Sequence, residues 1–185
     1  MRLNLRKFGL DSEKLAKSAT IVLAFLLAVP FCVGSQVGTK AEPTQKADRI
    51  EVRKGERIMT LMRDGKPLKT YKVALSTVPV GPKEREGDHK VPEGLYVVDA
   101  KNAHSQFHLA LHISYPNAAD RERARKLGVR PGGNIEIHGL GSKFAWVGSL
   151  HREVDWTDGC VAVSNSEIDE IWQLVSVGTA VEIRP

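Results

Sequence analysis

The sequence predicts a single, mainly β domain with accessory helices, and three observations carry that prediction. Short apolar runs of period two recur between Gly, Pro and Asp turns from about residue 48 onward, about eight strands in all. Helical periodicity is confined to two stretches. At 185 residues, 42% apolar and 26% charged, the chain is long enough for one packed core plus a leader.

The elements follow in order. Arg2, Arg6, Lys7, Lys14 and Lys17 precede an apolar run from Ala19 to Val33, the charged region and hydrophobic region of an export signal. Residues 1–35 are therefore read as a signal peptide, with cleavage after Ser35 or Ala41, or as an uncleaved N-terminal membrane anchor, since Ala19 to Val37 approaches the ~20 residues that span a bilayer. Either form sends the domain outward by the positive-inside rule, so the protein is expected in the periplasm or cell envelope, with or without attachment to the inner membrane. Residues 36–47 mix Gly, Lys, Pro, Thr and Gln and read as a linker, and the catalytic domain is taken as 48–185.

Ile50 and Val52 alternate as a first strand, Ile58 to Met62 form a second, and Asp64-Gly65 turns into Leu68 to Ser76, a β-meander. Val78 to Lys90 is polar and Gly/Pro-rich, either a loop near the functional site or a plain connector. Leu95–Val98 and Gln106–Ser114 are further strands. Ala118 to Leu127 reads as a charged, solvated helix opened by Pro116-Asn117 and closed by Gly128. Ile135 to His138 is a strand, and Leu140 to Trp156 a long loop. Ser164-Asn-Ser-Glu167 forms a capping box for a helix that buries Ile168, Ile171, Trp172 and Val175, and Ala180 to Ile183 is the last strand.

Charge excludes one class of partner. Without the leader the chain holds 22 basic and 20 acidic residues, which leaves no basic footprint for nucleic acid. Metal chemistry is weighed on His104, His108 and His112, spaced by four, with His151. On a helix they would form a ligand face. Strict alternation of Phe107, Leu109, Leu111 and Ile113 instead makes the segment a strand, where residues four apart are ~13 Å apart. No metal and no organic cofactor is expected, and a zinc hydrolase is the weaker alternative.

The remaining chemistry is a thiol and an imidazole. Cys32 lies in the apolar leader and reads as a buried Cys. Cys160 is then the one cysteine of the exported domain, and a lone thiol in an oxidising compartment is retained for function. It follows Gly159 and precedes the run Val161–Val163, so a glycine turn presents it at the start of a strand. His138 ends its own strand on the face opposite Ile135 and Ile137, placing an imidazole free to act as base. His151 in the long loop is the rival base. Backbone N–H groups at Gly159 and Cys160 suit an oxyanion.

His138-Gly139 followed by Thr157-Asp158-Gly159-Cys160-Val161 resembles the His-Gly and Ser/Thr-x-Gly-Cys signature of the L,D-transpeptidase catalytic domain, also called YkuD. Gly81 to Asp88, Val91-Pro-Glu-Gly-Leu-Tyr96 and Tyr115-Pro116-Asn117 with Asp120 are similar to further segments of that family, the last to its murein L,D-transpeptidase subgroup. The resemblance implies a β-sandwich of mixed sheets. It also implies a Cys160 thioester acyl-enzyme on peptidoglycan stem peptides, with His138 as base, Gly139 orienting it through its backbone, and a thiol that carbapenems acylate. Trp156, Trp146 and Tyr115 are the candidates for substrate contact, and a monomer is expected. Two positions depart from the family pattern. Ala162 stands where an arginine is usual, and Asp158, expected to point away from the thiol, stands where His or a small residue is common. These departures keep open a hydrolytic member, a carboxypeptidase or an amidase releasing peptide or protein from murein, and a catalytically silent murein-binding module.

Overall fold

The computed structural model describes residues 45–185; the leader, Cys32 and most of the proposed linker lie outside the described residues. Eight strands run in the order β3-β2-β1-β8-β4-β5-β6-β7. They are β1 (Arg49–Arg53), β2 (Ile58–Arg63), β3 (Lys66–Lys72), β4 (Gly94–Ser105), β5 (His108–Ile113), β6 (Glu136–His138), β7 (Val161–Ala162) and β8 (Ala180–Arg184). The β1–β8 and β6–β7 pairs are parallel and the others antiparallel.

The fold is mainly β and mixed, as the residue patterns predict. The strand β4 joins its two halves. Gly94–Val97 pair with β8, and Val98–Ser105 pair with β5 across register shifts. The two ends of the order also meet, because the chain leaving β3 bridges Ala74 to Ala162 and Ser76 to Thr157. Inside lie Ile50, Val52, Leu61, Val98, Leu111 and Ile137, joined by Ile168 and Ile171 from the second helix and by Val175 just after it.

The helices match their start and stop signals. In α1 (Ala118–Leu127), Asn117 accepts from the Asp120 N–H, the Asp120 carboxylate accepts from the Asn117 N–H, and Gly128 closes the helix in the left-handed conformation. In α2 (Asn165–Leu174), Ser164 and Glu167 form the capping box.

Three boundaries differ from the sequence reading, each for a local reason. The run 106–114 is interrupted, since Gln106 and Phe107 form the turn of the β4–β5 hairpin and His108 takes a positive φ of 75°. Period-two patterning cannot distinguish a turn whose residues happen to continue the alternation. Leu68–Ser76 is β3 up to Lys72 and then a strand-like crossing to β7. The long loop is not irregular, because Ser142–Glu153 forms 3-10 turns broken at Gly148, where φ is 53°.

The loop ahead of β4 is held by a buried lysine. Lys54, 2% exposed, donates to Gly81 O at 2.7 Å, Val91 O at 3.3 Å and Glu93 Oε1 at 2.7 Å. Lys83, also buried, pairs with Asp88 at 2.7 Å, and Asp88 accepts from the Glu84 and Arg85 N–H groups. Both cations are compensated, as burial requires. The loop is thereby fixed beside the thiol-bearing turn.

Candidate active site

The thiol-bearing turn is built by hydrogen bonds that leave little freedom. The Trp156 and Thr157 N–H groups both donate to Leu75 O at 3.0 Å, and the Thr157 hydroxyl donates to Cys160 O at 2.7 Å. Asp155 ahead of them accepts from the Leu75 N–H at 2.9 Å and from Arg57 at 2.7 Å. Gly159 has a φ of +126°, and a Cβ there would lie 2.9 Å from Lys90 O. Conformation and space both demand glycine. Its N–H makes one long bond, 3.5 Å to Thr157 Oγ1, so the donor is only weakly engaged.

Register places the imidazole beside this turn. His138 pairs with Ala162 and Ile137 with Val161, so Cys160 enters the pair level with Glu136. Cys160 is a free, half-buried thiol whose sulfur lies 3.8 Å from Asn134 O. Burial pushes it up to about 11; the Glu136 N–H on the sulfur and the Lys83 charge oppose that, while the Glu136 and Asp158 carboxylates add to it. The raised value favours the neutral thiol over the thiolate.

His138 is 1% exposed and donates from Nδ1 to Gly139 O at 2.7 Å. That carbonyl can only accept, so Nδ1 holds the proton and Nε2 keeps its lone pair. Burial lowers the imidazole below its ordinary value, partly offset by the same hydrogen bond. Phe107 stacks on the ring at 4.3 Å between centroids, and Trp156 meets it edge-on at 5.8 Å. An imidazole fixed in tautomer and plane lies on the strand next to the one that Cys160 leads into.

A family model described as the L,D-transpeptidase catalytic domain, YkuD, matches residues 47–183. The chain belongs to this family. Members act on peptidoglycan in the cell envelope. Over 111 residues the chain is 32% identical to YafK of Escherichia coli strain K12, named as a candidate L,D-transpeptidase, covering 59% of this chain and 37% of that protein. The crystal structure of the helical cell shape determining protein Pgp2 from Campylobacter jejuni superimposes with a TM-score of 0.58 at 25% identity, over 76% of this chain and 48% of Pgp2. An L,D-transpeptidase from Xylanimonas cellulosilytica, residues 123–326, shares the fold with a TM-score of 0.50 at 16% identity, over 77% of this chain and 63% of its own. This chain thus spans about a third of YafK and half of Pgp2.

The other candidates divide. Trp156 lies against His138 and is half-buried. Trp146 is 83% exposed on the 3-10 segment, its indole N–H on Lys143 O. Tyr115 is corrected: it is 3% exposed, packs edge-on against Tyr96 and donates to Pro131 O at 2.9 Å, so it belongs to the core rather than to a substrate face. Ala162 is fully buried between His138 and Ala74. Asp158 does turn away, 86% exposed and 2.8 Å from His89 Nδ1, although its charge still reaches the thiol. His108 pairs with Asp169 and His112 with Asp99, at 2.7 and 2.6 Å, and among the described residues no group of three His, Cys, Asp or Glu is placed to hold a metal ion. No helix among them is long and apolar enough to cross a membrane.

Residue patterns give no reason to single out Phe107, which stacks on His138, or Glu136, whose charge reaches Cys160. Beyond Phe107 and Trp156 lies an apolar cavity of about 360 Å³, lined also by Leu140, Phe144, Leu150 and His151. His151, the rival base, sits in that wall with both ring nitrogens buried and unpartnered among the described residues, and burial lowers it to about 4. A folded value below the ordinary 6.5 means the unfolded chain takes the proton first. Its stabilising share is complete above pH 6.5 and is lost as pH falls through about 4. Thermal melts are expected to drop between pH 7.5 and 4.5 by the equivalent of up to about 3 kcal/mol, and His151→Leu to flatten that drop. Equal drops in both proteins would clear His151 of the effect.

Proposed function

We propose that this protein is an exported cell-envelope cysteine acyltransferase of the L,D-transpeptidase type, acting on peptidoglycan stem peptides. The observation that carries this reading is Cys160 on its glycine turn beside His138, whose tautomer is fixed by Gly139 O at 2.7 Å. His138 Nε2 takes the thiol proton as sulfur attacks the carbonyl of a diamino-acid residue in the stem. The Gly159 and Cys160 N–H groups receive the oxyanion. The proton then goes to the leaving amine, a thioester remains on Cys160, and an incoming amine forms the new amide and restores the thiol. Trp156 and Trp146 are proposed to line the peptide groove. The basic, then apolar, N-terminus supports export, and likeness to Pgp2 supports a role in cell shape.

One observation favours a second reading, in which water rather than an amine resolves the thioester. Ala162 is buried where an arginine is usual, which removes a bidentate grip on a peptide carboxylate. Incubating the protein with purified muropeptides and resolving products by mass spectrometry separates the two: cross-linked dimers mean transfer, and trimmed or released peptides mean hydrolysis. Unchanged muropeptides from folded, reduced protein would instead leave a murein-binding module.

The base predicts its own signature. His138→Gln is expected to slow acylation by about 10²–10⁴-fold. Because His138 works unprotonated and its pKa is lowered by burial, the wild-type acid limb should lie below pH 6.5. An acid limb unchanged in the Gln variant would assign the base elsewhere.

A further inference from the structure

Glu136 faces the reaction with no cation fixed to it. It shares a strand face with His138, stands opposite His112 in the β5–β6 register, and enters the β6–β7 register level with Cys160. Its N–H touches the sulfur and its carboxylate charge reaches the thiol. The side chain is half-buried, and no group of the described residues hydrogen-bonds its carboxylate. His112 is the ionisable group that acts on it, and that imidazole is itself hydrogen-bonded to Asp99 at 2.6 Å. Lys83, whose charge reaches the thiol, is engaged elsewhere, paired with Asp88 at 2.7 Å.

Such a carboxylate works against the free enzyme twice. Burial already opposes its ionisation, and once ionised it opposes the thiolate that attacks. A glutamine would fit the same space without either penalty. An ammonium group lying against Glu136 reverses both effects, since it compensates the half-buried charge and removes the repulsion felt at sulfur.

We propose that Glu136 is a specificity-determining residue that receives a primary ammonium group of the substrate, so that the arriving cation both orients the acyl donor and eases formation of the Cys160 thiolate. The inference deepens the reading of Cys160 as a nucleophile toward a diamino-acid residue and rests on it for the identity of the substrate. Asp158, 86% exposed and pointing at His89, is too solvated to fill the role.

The test uses thiol reagents as well as substrate. The full chain, as wild type, Glu136→Gln and Asp158→Asn, is reacted with aminoethyl methanethiosulfonate and with neutral methyl methanethiosulfonate, following modification of Cys160 by intact mass. Glu136→Gln is expected to lower the preference for the cationic reagent about fivefold or more while reacting faster than wild type with the neutral one. Asp158→Asn should change the preference less than twofold. In parallel, muropeptides with the side-chain amine free or acetylated are compared, and Glu136→Gln should lose the rate advantage of the free amine. A reagent preference unchanged by Glu136→Gln, or one lost equally in Asp158→Asn, overturns the proposal. So does an equal fall in rate on both muropeptides, which would make Glu136 a general base. If wild type leaves every muropeptide unchanged, the enzymatic reading fails while the reagent ratio still decides whether an ammonium site exists.

Discussion

Cys160→Ala is expected to abolish turnover of muropeptides, by about 10⁴-fold or more, and to eliminate the mass adduct formed with a carbapenem. In the proposed mechanism every other group at the site acts through this sulfur: His138 would take its proton, the turn at Gly159 would aim it, and the backbone donors would receive the charge its attack creates. A thiol is also small, so its removal is structurally cheap. Cys160 is half-buried and its sulfur makes only weak polar contacts, 3.8 Å to Asn134 O and with the Glu136 N–H, so the variant should melt within a few degrees of wild type. Turnover persisting in the Ala variant would remove the acyl-enzyme mechanism altogether. Retained muropeptide binding without turnover in either protein would establish a binding module.

The neutral resting state sharpens what should be seen with pH. With the thiol pushed up to about 11 and His138 lowered, burial favours the neutral thiol and the neutral imidazole over a thiolate–imidazolium pair in the free protein. Alkylation of Cys160 by a simple neutral reagent should therefore climb with pH well past 8.5, whereas turnover, in which the base removes the proton during attack, should not need that alkaline rise.

What the sequence makes legible is whatever depends on neighbours in the chain. Period two gives β1, β2 and β5, the Asn117 and Ser164 capping boxes give both helix starts, and Gly-Cys between a turn and an apolar run singles out the candidate thiol. The elements that surround the chemistry are not of that kind. Phe107 continues an alternation that reads as core, yet it sits at a hairpin turn and stacks on His138, because β5 lies beside β6. Glu136 is indistinguishable in sequence from any solvent-facing strand residue until the register sets Cys160 level with it. Tyr115 follows the opposite course: an aromatic beside a proline has the sequence character of a binding residue, yet it is held inward by packing on Tyr96 and by its hydrogen bond to the carbonyl of Pro131. The 3-10 turns of 142–153 have no strong local signal, since their packing on Phe107 and Trp156 comes from distant parts of the chain.

Gly139→Ala tests whether the fold and the base are one arrangement. The glycine lies where β6 ends against the start of α2, and a Cβ there would stand 2.7 Å from Asn165 Oδ1, 2.9 Å from Ile168 Cγ2 and 2.9 Å from Phe107 O. None of the three can give way cheaply. Ile168 is fully buried, the Phe107 carbonyl is backbone, and Asn165 Oδ1 accepts the Leu140 N–H at 2.7 Å. Overpacking of this sort costs about 1–3 kcal/mol, which should lower the melting temperature by roughly 4–10 °C. The relief that is open to the chain is a shift of the 139–140 backbone, and that backbone carries the carbonyl that fixes His138 Nδ1. Activity should accordingly fall about 10²-fold, because an ångström of misplacement in a catalytic base is worth that much. The loss should appear in the acylation rate with the neutral-reagent reactivity of Cys160 little changed, since the thiol-bearing turn is braced independently through Leu75 and Asp155. A variant that melts lower but acylates at the wild-type rate would show that His138 is held by Phe107 and Trp156 rather than by its hydrogen bond to Gly139.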